Sequence, residues 1–278
     1  KSMKIAYTKM HGTGNRILVV DQREGNASVP SAAKLRELGT ESTGPGFDQL
    51  MWVTASGDPA LAASYRIFNA DGSEVEQCGN GVRCVASMLA NQGGHAQTFS
   101  LASPAGPIQV RVDDDGLVSV SMGLPEFDPD KIPFAAEEQA DRYTLDVAGR
   151  QFEVCAVSMG NPHCVLHVND VETAPVNELG PLIERHERFP QRVNVGFARV
   201  RDRGNMDLRV FERGVGETEA CGTGACAAVV TGQALGLLDA TVNVKLPGGQ
   251  VVVSWRGDAE PVWLTGNAEF ISEGIMDL

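Results

Sequence analysis

Basic side chains are scarce in this chain: 23 lysines and arginines stand against 36 aspartates and glutamates, for a formal net charge of -13. A surface of that sign repels nucleic-acid phosphates and anionic headgroups, so no nucleic-acid partner is expected and small molecules remain. No apolar run approaches the roughly 20 residues of a membrane-crossing helix, and KSMKIAYTKM lacks the apolar core of a signal peptide. The expectation is a soluble, cytoplasmic protein with no membrane partner. Six cysteines in 278 residues, at positions 78, 84, 155, 164, 221 and 226, are too few and too scattered for a disulfide scaffold. They make no CxxC pair and lack the Cys/His spacing of structural zinc, and HExxH, GxGxxG and GxxxxGK[ST] are all missing. No metal is expected.

What is present is enough chain for roughly two domains of about 150 residues. Apolar alternation predicts strands over 16–21, 64–69, 107–112 and 117–122, the last two joined as a hairpin by the turn DDDG. A second set follows over 151–158, 163–168, 193–201 and 206–212, with a hairpin in VNVKLPGGQVVVSW. Ser31 caps a helix that ends at Gly39, and a counterpart covers 177–187, with Gly180-Pro181 as an alternative start. Two further helices, over 80–91 and 223–237, are rich in small residues and each begins just after a cysteine in a glycine-rich turn.

These landmarks repeat. Cys78-Gly-Asn-Gly and Cys221-Gly-Thr-Gly lie 143 residues apart, as do Asn69 and Glu212, while Asn15 and Asn161, like Ser31 and Asn177, lie 146 apart. The spacing predicts an α+β fold of two similar domains related by internal duplication, each with mostly antiparallel strands wrapped around a central helix. The first would cover 3–122, completed by a C-terminal strand over 267–278, and the second 123–266, with the active site in the cleft between them.

A cysteine at a helix N-terminus meets unpaired backbone N–H groups and the positive end of the helix dipole, which favour its thiolate. Gly79, Gly81, Gly222 and Gly224 leave those N–H groups open to an anion. If the domains face one another, Cys78 and Cys221 take opposite sides of one ligand: one thiolate removes a proton from carbon, the other thiol returns one to the opposite face, and the stereocentre inverts. Such a pair supplies the whole chemistry, so no cofactor is expected. Cys84, Cys155 and Cys226 sit among apolar neighbours and read as core thiols, whereas Cys164, after the NPH turn, stays open. A fork such as Arg213 suits a carboxylate and Glu212 suits an ammonium group, which together suggest an amino-acid substrate.

The segments ADGSEVEQCGNGVRC (70–84), VSMGNPHCV (157–165), FERGVGETEACGTGACAA (211–228) and GFDQL (46–50) resemble diaminopimelate epimerase. That resemblance implies an isomerase, independent of pyridoxal phosphate, that interconverts LL- and meso-diaminopimelate on the route to lysine and peptidoglycan precursor, and acts as a homodimer. It implies Cys78 and Cys221 as the catalytic pair. Its substrate site falls on Asn15, Gln49, Asn69, Asn161, His163, Asn194, Glu212 and Arg213, with Gly79, Asn80, Gly222 and Thr223 as the carboxylate cradle. Two stretches depart from the pattern: HGTGNRI stands where HGxGNDF is usual, and ESTGPG (41–46) replaces a usually basic or cysteine-containing run. The nearest alternative is a proline or hydroxyproline racemase, which shares the cysteine pair. A different class is a non-catalytic amino-acid-binding or redox-regulated protein.

Overall fold

A computed structural model describes residues 3–76, 79–93 and 97–278. The chain divides into two compact units, Lys1–Ser121 with Thr265–Leu278, and Met122–Leu264. The first runs through β1 (Lys4–Gly12), β2 (Asn15–Asp21), α1 (Ala32–Gly39), β3 (Gln49–Thr54), β4 (Ser64–Asn69), β5 (Glu74–Val75), α2 (Gly79–Asn91), β6 (Thr98–Ser103), β7 (Gly106–Val112) and β8 (Val118–Ser121). The second contains β9 (Tyr143–Val147), β10 (Arg150–Ser158), β11 (Pro162–His167), α3 (Val176–Glu184), β12 (Asn194–Asp202), β13 (Asn205–Glu212), β14 (Gly216–Thr218), α4 (Gly222–Ala234), β15 (Thr241–Leu246) and β16 (Gly249–Ser254). Strand β17 (Trp263–Gly266) carries the chain back to the first unit, where β18 (Glu269–Asp277) lies antiparallel to β1.

The duplication is written in the strand ladders. In the first unit β1/β2 is antiparallel, β2/β3 parallel, β3/β4 and β4/β5 antiparallel, β4/β6 parallel and β6/β7 antiparallel. The second unit repeats that order with β10/β11, β11/β12, β12/β13, β13/β14, β13/β15 and β15/β16. In each unit the same helix fills the inside: α2 packs on β1, β2, β3, β7 and β8, and α4 on β10, β11, β12, β13 and β16. Small side chains make that possible, since Gly224 to Gly232 of α4 are buried without exception and strands close in around them. Among the described residues no helix is long and apolar enough to cross a membrane.

The outer helices cover the other sheet faces. Ser31 caps α1 by accepting the Lys34 N–H at 3.2 Å, and Leu35 and Leu38 pack with Leu18, Val20, Leu50, Trp52 and Phe68. Strand β3 shows no alternation because both its faces are buried. In the second unit alternation sorts the thiols: Cys155 faces the core built on α4, whereas Cys164 faces the core built on α3. Cys164 is therefore a buried core thiol.

Two helix boundaries differ from expectation. Helix α3 starts at Val176, within one residue of expectation, and keeps Pro181 inside it because Val176, Leu179 and Ile183 bury together and that packing outweighs the hydrogen bond proline cannot donate, but it stops at Glu184, short of 187. Helix α4 stops at Ala234, where Gly236 takes a φ of +73° and the Leu237 N–H turns back to the Gly232 carbonyl at 2.9 Å. Gly180 of α3 lies flat on Phe211, and a Cβ there would come within 2.6 Å of the ring and 2.9 Å of the Phe211 Cβ. Gly180→Ala is therefore expected to destabilise the protein by about 1–3 kcal/mol despite alanine's better helix propensity, read from a lowered denaturant midpoint. An unchanged midpoint would show that α3 shifts freely on β13.

Candidate active site

Cys221 is the N-cap of α4, with extended backbone (φ -138°, ψ 108°) and a thiol sulfur that accepts the Gly224 N–H at 3.3 Å. One of the helix's orphan donors is thereby satisfied by the side chain expected to do the chemistry. The glycines on either side of Thr223 are set by packing: a Cβ on Gly222 would lie 2.9 Å from Leu264 Cδ2, and one on Gly224 would lie 3.0 Å from Val210 Cγ2. Helix position alone predicts a depressed thiol pKa, yet the net shift is upward. Burial is the largest cause and the neighbouring Glu212 carboxylate adds to it, outweighing the Gly224 N–H and the Thr223 hydroxyl. Burial likewise raises the carboxyl of Glu212 itself.

A polar chain leads from Cys221 back to β11. The Thr223 hydroxyl lies 3.7 Å from the sulfur, 3.1 Å from His163 Nε2 and 3.3 Å from Asn161 Nδ2, and His163 Nε2 also lies 2.9 Å from Asn161 Oδ1. Burial, with help from Arg213, pushes His163 down to about 3, so the ring is neutral at physiological pH and serves as a fixed hydrogen-bonding group. Beside it, in register on β12, Asn194 donates to the Pro162 carbonyl at 3.0 Å and accepts the Arg213 N–H at 2.8 Å. The Arg213 guanidinium reaches the Gln191 carbonyl at 3.2 Å. The second unit thus gathers Asn161, His163, Asn194, Glu212, Arg213, Cys221, Gly222 and Thr223 around the start of α4.

The first unit uses the corresponding ladder positions. Asn15 opens β2 after the turn Thr13-Gly14, both at positive φ (41° and 86°). Gln49 opens β3 level with Ile17, and its amide donates to Asn69 Oδ1, the last residue of β4, at 3.2 Å. Gly79 and Asn80 begin α2, while Cys78 lies outside the described residues.

Sequence reasoning missed Arg83. It is fully buried in α2, donates to Asn80 Oδ1 at 2.6 Å, to Thr13 Oγ1 at 2.9 Å and to the Asn267 carbonyl at 3.2 Å, and so joins the first turn of α2 to the β1/β2 turn and the returning chain. A charged residue inside the apolar run GVRCVASML was the available signal. Asn267 and Glu184, which accepts the Gly214 N–H at 2.6 Å, had none. Among the described residues no group of three or more histidine, cysteine or acidic side chains is placed to hold a metal ion.

Comparison with known proteins places this geometry in context. The diaminopimelate epimerase family profile matches residues 7–127 and 155–271, which takes in both helix starts. The diaminopimelate epimerase of Pseudomonas entomophila is 52% identical over 278 residues, covering 99% of this chain and all of that protein. Among solved structures, a Bacillus anthracis phenazine biosynthesis protein of the PhzF family aligns with a TM-score of 0.69 at 18% identity, covering 99% of each chain. A hydroxyproline epimerase from Agrobacterium vitis aligns with a TM-score of 0.68 at 16% identity, covering 99% of this chain and 93% of that one. At such identities the two structures speak for the shared fold alone, the duplicated α+β architecture. The sequence matches go further, since they run through both units and through every motif that supplies the polar groups described above, and by them the chain belongs to the diaminopimelate epimerase family.

Proposed function

We propose that this protein interconverts LL- and meso-diaminopimelate by proton removal and return at one α-carbon, with Cys78 and Cys221 as the two proton carriers. The observation that carries the reading is the setting of Cys221 at the N-cap of a buried helix, its sulfur against backbone N–H and Thr223, inside a motif shared with the family. In one direction a cysteine thiolate takes the α-proton and becomes a thiol, the electron pair spreads into the adjacent carboxylate, and the second thiol protonates the other face and becomes a thiolate. Backbone N–H groups at Gly222 and Thr223, and at Gly79 and Asn80, suit the charge that develops on that carboxylate. Asn15, Gln49, Asn69, Asn161, His163, Asn194, Glu212 and Arg213 then bind and orient the amino acid. Because the thiols supply the whole reaction, no cofactor is needed. The reading places that work in the reducing cytoplasm, in lysine and peptidoglycan-precursor synthesis.

The test is to incubate reduced protein with LL-diaminopimelate in deuterium oxide and follow α-proton exchange and isomer composition by NMR, with L-proline and trans-4-hydroxy-L-proline in parallel. Deuterium incorporation coupled to the meso isomer is expected with the first substrate and not with the other two. Cys78→Ala and Cys221→Ala should each abolish inversion, and either variant retaining full inversion would sink the two-thiol mechanism. Turnover of a proline substrate instead would favour the racemase reading.

The upward shift of Cys221 carries its own expectation. Burial and the Glu212 charge favour the thiol, so alkylation of the Cys221 peptide by iodoacetamide should rise with pH only above the range of an ordinary thiol, near about 8.5. Glu212→Gln removes the like charge and should move that profile to lower pH. An unmoved profile would leave burial as the whole cause.

We also propose a homodimer. Strand β18 exposes Phe270, Ile271 and Ile275, the first and last at 61% and 70%, which is unusual for large apolar side chains clustered on one strand. Light scattering should give twice the 29.6 kDa of one chain, and Phe270→Asp with Ile275→Asp should give a monomer. A wild-type monomer would refute this.

A further inference from the structure

Arg16 and Glu41 stand in the two stretches where the sequence leaves its family's usual motifs, and the structure brings them together. Arg16 follows Asn15 at the start of β2, and Glu41 lies in the loop after α1. The guanidinium forks across two carboxylates: Nη1 donates to Glu41 Oε1, while Nη2 donates to Asp48 Oδ1 at 3.0 Å. The main chain repeats the second hold, with the Arg16 N–H on Asp48 Oδ2 at 2.7 Å and the Asp48 N–H on the Arg16 carbonyl at 2.9 Å. Asp48 immediately precedes Gln49, as Arg16 immediately follows Asn15.

The loop between Glu41 and Asp48 is fixed from other sides as well. Lys9 Nζ donates to the Pro45 carbonyl at 2.9 Å, and the Gly46 and Phe47 N–H groups bond to the Leu38 and Gly39 carbonyls at 3.0 and 3.2 Å. Gly46 has a φ of +71°, and the Glu41 side chain occupies the place of its missing Cβ. A lone ion pair with side chains 39% and 67% exposed contributes little to stability, about 0.2–1 kcal/mol. Its effect is geometric, since one planar fork sets the loop and Asp48 together.

We propose that Arg16 is a positioning residue that sets Asn15 and Gln49 for substrate through its joint hold on Glu41 and Asp48. This rests on the reading of Asn15 and Gln49 as substrate-binding residues. The experiment compares the wild-type enzyme with Arg16→Gln, Glu41→Gln and the two combined, by kinetics with LL-diaminopimelate and by hydrogen exchange of the 40–47 amides. Arg16→Gln, which loses both carboxylate contacts, should raise KM about fivefold with kcat within about twofold, Glu41→Gln should raise it less, and the two combined should be no worse than Arg16→Gln alone. Amide exchange at Gly46 and Phe47 should quicken in both singles and no further in the double. Unchanged singles, or a double as impaired as both singles together, would overturn the proposal. A wild-type protein that turns over no diaminopimelate would instead fail the activity reading, and amide exchange would still decide whether the pair holds the loop.

Discussion

The burial of a short helix of small residues, with its first turn left open for a cysteine, is the constraint on which the second unit depends. Strands approach α4 so closely that Gly222 and Gly224 have no room for a Cβ, against Leu264 and Val210. The same closeness strips solvent from Cys221, and desolvation of a thiolate is a larger effect than one helix-end N–H can offset. The helix start therefore orients the sulfur, while burial and Glu212 decide that it rests as a thiol. His163 obeys the same logic with the opposite sign: burial keeps the ring neutral, so it holds Asn161 and Thr223 in place without adding charge next to Arg213.

Duplication supplies two copies of one ladder, and the copies have diverged at the positions proposed to bind substrate. Level with the start of β3 stands Ile17, whereas level with the start of β12 stands His163. The last residue of β4 is Asn69, which shares a hydrogen bond with Gln49, and the last residue of β13 is Glu212, followed by Arg213. One unit thus presents amides and the other a carboxylate and a guanidinium at repeated sites. Parallel pairing at β2/β3 and β11/β12 brings the starts of both strands to the same sheet end, which is why residues distant in sequence gather there.

Much of this was legible locally. The cap at Ser31, the hairpin around DDDG and the helix starts within CGNG and CGTG are signalled by residues close in sequence, and they lie where capping and turn chemistry put them. Strand β3 was not legible, because a strand buried on both faces loses the alternation that marks one. The end of α3 was misjudged at residue 187, because the Glu184 carbonyl is taken by the Val193 N–H, a partner beyond the helix. Arg83 was overlooked because its partners, Thr13 and the Asn267 carbonyl, are 70 and 184 residues away.

By itself the sequence determined the family, the repeat and the residue types available for proton transfer, since motif identity and spacing survive without coordinates. Tertiary structure decided which side of a sheet each thiol faces, the direction in which Cys221 and His163 titrate, and the pairing of Arg16 with Glu41 and Asp48. The reason is physical: desolvation and ion pairing depend on what the fold brings near a group, and most of those neighbours come from far along the chain.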